Sequence, residues 1–139
     1  MPKLTRWFVR ASLIHLTASL VLGVLLAARP LFDLPPYISA LTPVFYHLFM
    51  VGWLTQLIFG VMHWMFPKAS SEQPRGSENI VWFVFVALNL GLLLRGVAEP
   101  LISSQSGFIW NRILAISASL QWAAGLSFVI NTWPRVKER

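Results

Sequence analysis

The chain has no cysteine and few charges. Without cysteine there are no disulfides, no thiolate metal sites, no thiol nucleophile and no covalently attached c-type haem. Charged residues make up 12% of the 139 residues, against about 25% in a soluble domain. Acidic residues are scarcest, five against eleven lysines and arginines, and none falls deep in an apolar run. That absence weakens a proton-pump or cation-transporter reading, which needs an intramembrane carboxylate. The chain also lacks a Gly-rich phosphate loop, a Gly-x-Ser-x-Gly elbow and a His-Glu-x-x-His pair.

Long hydrophobic runs fill the space these groups leave, for 56% of the residues are hydrophobic. A soluble fold of this length has to cover itself with polar groups, whereas lipid demands no such coat. A spanning helix needs about 20 mainly apolar residues, and four such runs can be read, over about 7–28, 38–66, 79–98 and 108–133. Backbone groups in hydrocarbon must bond within their own segment, which predicts a helix for each. Pro30, Pro35, Pro36, Pro67, Pro74, Pro100 and Pro134 punctuate the span ends. Short connections then predict an all-α, integral membrane four-helix antiparallel bundle, with residues 1–139 forming a single transmembrane domain.

The net charge of +6 does not point to nucleic acid. The basic residues flank apolar spans and form no polar stripe, so the expected partner is the lipid bilayer. Lys3, Arg6 and Arg10 precede the first span, which is too long for a signal-peptide core and is followed by a poor cleavage site at Ala27–Pro30. Lys3, Arg6, Arg10, Lys68, Arg75, Arg135, Lys137 and Arg139 share one side. Only Arg29, Arg95 and Arg112 fall on the other. The positive-inside rule therefore places both termini in the cytoplasm, as in a multi-pass protein of the bacterial inner membrane. Trp7, Trp64, Trp82, Trp110 and Trp133 fit an interfacial belt.

Ionisable residues inside spans are costly and mark candidate sites. His47 lies in the outward half of the second span, His15 in the inward half of the first, and His63 near the inward end of the second. Sixteen residues of helix separate His47 from His63 by about 24 Å and roughly 160° of rotation, too far to share a metal in one subunit. Ser12, His15, Ser19 and Gly23 form one small-residue stripe, and Gly52, Gln56, Gly60 and His63 form another. These stripes suit a helix–helix seam in which the histidines are hydrogen-bonded packing residues. The alternative makes them the walls of a flat slot for a porphyrin or quinone, where a glycine such as Gly52 lets the ligand approach the backbone.

Around His47 the pattern is more specific. Arg95, Arg112 and Arg29 end or begin spans at its depth. An imidazole for iron with guanidinium groups for propionates suits haem b. Headgroup contact, or pairing with Glu99 and Asp33, accounts for the same arginines without a cofactor.

The run Tyr46-His47-Leu48-Phe49-Met50-Val51-Gly52-Trp53, continuing through Phe59-Gly60 to Trp64-Met65-Phe66-Pro67, resembles the second helix of haem-copper oxidase and nitric oxide reductase catalytic subunits. The cbb3-like members are the nearest in pattern, and short four-helix subunit-I-like bacterial proteins are nearer still. Asn89-Leu90-Gly91-Leu92-Leu93-Leu94-Arg95 is similar to the third helix of those short relatives. The resemblance implies that His47 binds a low-spin haem b iron on the outer side. It departs from the full subunits in lacking the later helices that carry the second axial ligand and the copper ligands. It therefore implies electron transfer or NO/O2 sensing, with any oxidoreductase role shared with a partner. The second ligand position is then open, filled by a non-histidine group, or supplied by a homodimer or a respiratory-complex subunit. Two other readings stand beside it: a cofactor-free accessory or assembly subunit of a respiratory complex, and a quinone-binding protein using His15 or His63 with Gln56.

Overall fold

Apolar runs without a polar face can fold only where backbone groups bond to one another, and the computed structural model has that form. It describes residues 1–32, 34–71, 73–104 and 107–136 and contains helices but no strand among them. Helix α1 spans Lys3–Phe32. The second span begins with a 3-10 turn, Pro36–Leu41, and continues as α2, Thr42–His47. It then passes through a π-helical segment, Leu48–Thr55, into α3, Gln56–Met65. Helix α4 covers Glu78–Ser104 and α5 covers Phe108–Thr132, followed by a 3-10 turn at Trp133–Arg135. Four helices are long and apolar enough to cross a membrane.

The expected spans are all present, with longer ends at α1 and α4. Pro30 and Pro100, expected at span ends, lie inside α1 and α4. Each sits close to its helix's C-terminus, where few turns remain to be broken by the missing N–H. Asp33, Lys137 and Arg139, assigned pairing or topological roles from the sequence, lie outside the described residues.

The first two spans pack antiparallel along the two small-residue stripes. A Cβ built on Gly60 would fall 2.7 Å from Phe8 Cβ, and one on Gly52 would fall 2.8 Å from His15 Cβ. One on Gly23 would meet the Phe45 ring at 3.1 Å. In lipid, which offers no hydrophobic drive for helix association, such close approach of backbones and buried hydrogen bonds would supply it. The stripes are therefore a filled seam between α1 and the second span.

Helices α4 and α5 form the other tight pair. Ser117 Oγ donates to Gly91 O at 2.6 Å, and Gln121 Nε2 donates to Ser117 Oγ at 3.1 Å. Contacts between the pairs include Gln56 Nε2 donating to Asn89 Oδ1 at 3.4 Å and Phe59 stacked on Phe128 with ring centroids 3.8 Å apart. The apolar core gathers Leu4, Phe8, Val81, Val84, Leu88, Ala124 and Phe128 toward the end of the bundle that carries the termini. Most other large apolar side chains point outward, including Ile14, Val24, Leu93, Ile109, Trp122 and Ile130. In water that coat would be unfavourable at about 25 cal/mol per Å² of apolar surface, and in hydrocarbon it costs nothing.

The π segment has its own cause and consequence. Thr55 Oγ1 donates to Met50 O, five residues back, at 2.9 Å. The Gln56 N–H reaches Val51 O and Trp53 O, bypassing Gly52 O. His15 Nδ1 donates to that bypassed carbonyl at 3.3 Å. A wide turn frees carbonyls from the i→i+4 ladder, and a side chain from the neighbouring helix can take one up.

Candidate functional site

The end of the bundle away from the termini holds His47, the last residue of α2 before the π segment. Its Nδ1 lies 2.9 Å from Pro43 O, and its Nε2 faces Arg95 Nη1 from α4. These contacts settle the tautomer. A guanidinium only donates and a carbonyl only accepts, so Nε2 carries the lone pair and Nδ1 the proton. Arg95 Nε in turn lies 3.1 Å from Glu99 Oε1, near enough for an ion pair but off the line of a hydrogen bond. Both side chains are mostly buried, at 16% and 10% exposure. Glu99 Oε2 is buried without a hydrogen-bond partner among the described residues.

The result is a chain of three polar groups, His47–Arg95–Glu99, bridging the second and third spans. Arg95 thus makes the pairing with Glu99 that the sequence allowed, and it also reaches the histidine. Arg112 lies elsewhere, its guanidinium 3.9 Å above its own helix's Phe108 ring and exposed. Arg29 stands in the last turn of α1, and the described contacts bring it to neither His47 nor Arg95. Gly52 faces His15 across the seam, not His47. The aromatic run Phe45, Phe49 and Trp53 begins with Phe45 against Gly23, on the α1 side.

The three histidines remain apart. His15 is occupied by Gly52 O in the middle of the seam. His63 is 2% exposed at the termini end, with Nδ1 unpartnered among the described residues. Among these residues no three His, Asp or Glu side chains gather as a metal cluster.

Arg135 is the residue whose role the sequence hid. Read as a topology signal, it is buried to 1% exposure. Its Nε donates to Pro67 O at 3.0 Å, and its Nη2 donates to His63 O at 3.1 Å and Phe66 O at 2.9 Å. These are carbonyls at and just beyond the C-terminus of α3, where the last four have no partner within the helix. A guanidinium there also complements the negative end of the helix dipole. The signal in the sequence was indirect: Pro67 ends α3 and leaves those carbonyls to be met from elsewhere.

Compared with protein-family models, with curated proteins and with solved structures, the chain gives no significant match.

Proposed function

We propose that this chain is a multi-pass protein of a bacterial inner membrane, with both termini cytoplasmic, that holds one haem b through His47 for electron transfer or for sensing NO or O2. The observation that carries the reading is the state of the His47 ring. Its Nδ1–H is fixed by Pro43 O and its lone pair is on Nε2, the arrangement by which a histidine presents itself to a metal.

The residues present would hold a haem through one histidine nitrogen, with a guanidinium for a propionate. His47 would ligate iron through Nε2. Arg95 would give up that nitrogen and turn a pair of donors to a propionate, while Glu99 keeps its charge at the site. Arg112 and Arg29, at the same end of the bundle, are the further propionate candidates. When bound, haem b supplies a one-electron iron couple and a site for a diatomic gas. The Pro43 carbonyl holds the His47 ring orientation, and Arg95 from α4 keeps a cation beside that ring. Neither His15 nor His63 is placed to be a second ligand, so that position is open or comes from a second copy or a respiratory-complex subunit.

The absorption spectrum of the purified protein, expressed with haem supplied, tests this. The expected result is a Soret band that His63→Ala and His15→Ala retain. A spectrum without that band in the wild type overturns the proposal.

A second reading has its own support. Arg95 already occupies His47 Nε2, as it would in a cofactor-free accessory or assembly subunit, where the triad is a clamp between two spans. That reading predicts no spectrum, and poorer recovery of a parent complex in His47→Ala. A quinone site at His15 or His63 with Gln56 has less support, because Gln56 is fully buried and bonded to Asn89.

A further inference from the structure

The end of the bundle opposite His47 has a cleft of about 320 Å³, lined by His63, Gln73, Arg75, Ser77, Glu78 and Asn79 together with Pro74 and Gly76. Three features of its walls face the same way chemically. Its buried element is His63, 2% exposed, whose Nδ1 has no partner among the described residues. An imidazole nitrogen in that position loses solvation without return unless something binds it. The exposed wall is Arg75. The rim is the first turn of α4, a helix of 27 residues, whose Glu78 and Asn79 backbone N–H groups have no acceptor within the helix.

The turn into α4 is built to hold this rim. Gly76 adopts φ +78°, and a Cβ there would fall 2.7 Å from Asn131 Oδ1. The same Asn131 oxygen accepts from the Ser77 N–H at 2.9 Å. A polar residue of α5 thus fixes the loop against the helix start, with the cleft between it and His63. Arg135, behind His63 and bonded to its carbonyl, adds buried positive charge with Nη1 unpartnered among the described residues. Glu78 also lines the cleft but is exposed.

We infer that this cleft binds a phosphate oxyanion, supplied by a lipid headgroup or by free phosphate. Arg75 and the α4 N-terminus engage its oxygens, and His63 Nδ1 donates from the buried side. The inference concerns the opposite end of the bundle from His47 and is independent of the haem proposal.

Titrating the detergent-solubilised full chain tests it with two probes. Orthophosphate binding is read by ³¹P NMR, and dioleoylphosphatidylglycerol binding by native mass spectrometry. Saturable binding of either supports the inference. The lipid alone would assign a headgroup, and orthophosphate alone a free anion. Arg75→Gln should weaken binding about tenfold, the scale of one lost charge-assisted contact. His63→Leu should weaken it as well. Lys68→Gln, which removes the same charge from an exposed position outside the cleft, should leave it within about twofold. Because Arg75 is exposed, its variant reports on binding even if the buried His63 variant unfolds. No saturable binding of either probe, or equal losses in Arg75→Gln and Lys68→Gln, would overturn the inference.

Discussion

Arg135 ties the last span to the end of the second by donating to three carbonyls. Removing it leaves buried acceptors unmet, each costing about 1–3 kcal/mol. Arg135→Ala should therefore lower unfolding stability by about 3 kcal/mol or more, measured by denaturant titration of the detergent-solubilised protein. Arg135→Lys should recover part of the loss, since an ammonium keeps the charge but not the planar fork. An Arg135→Lys protein as stable as the wild type would mean that charge alone matters. Neither the cap nor the His47–Arg95–Glu99 chain could be assigned from residue types alone. A basic residue past the last span looks identical whether it faces a headgroup or turns back onto a neighbouring helix. His47 could be singled out because an imidazole within an apolar run is costly, and the structure gives it a polar neighbour in Arg95.

At the scale of the element, the glycines separate positions that touch a neighbour from positions that do not. Gly52→Ala and Gly60→Ala would place a methyl group within 2.8 Å and 2.7 Å of a side-chain Cβ on α1. Each should cost about 1–3 kcal/mol through forced separation of the helices. Gly125 has nothing within 4 Å of an added Cβ. Gly125→Ala should accordingly be neutral or stabilising by up to about 1 kcal/mol, the helix-propensity gain. The same denaturant titration checks all three. The two seam glycines could be found from their spacing, since small residues one or two turns apart mark close approach. The π segment could not. Its only local sign, the Thr55 hydroxyl reaching back five residues, is indistinguishable in sequence from any threonine in a span. Span ends were also read too short at α1 and α4, because a proline near a helix C-terminus breaks few bonds and stops nothing.

For the whole molecule, the pairing of helices places Lys3, Phe66, Ser77 and Arg135 at one end, with Phe32 at the other. The chain has no cysteine, so single-cysteine variants give an unambiguous reading of sidedness. In inside-out vesicles, an impermeant thiol reagent should label Lys3→Cys and Ser71→Cys but spare Phe32→Cys. The opposite pattern would invert the proposed orientation while leaving the bundle intact. The architecture was the most legible feature of the sequence, because a chain this apolar has very few ways to satisfy its backbone. The lateral arrangement was legible only in part: the two small-residue stripes marked the faces of the first two spans that meet, but no such stripe was read on α4 or α5.

The most direct test of the functional account is replacement of the His47 side chain by a free ligand. His47→Gly should lose the Soret band of the haem-loaded protein, and added imidazole should restore it by entering the space the ring leaves. A His47→Gly protein that keeps a full, unshifted Soret band without imidazole would contradict the assignment of His47 to the iron.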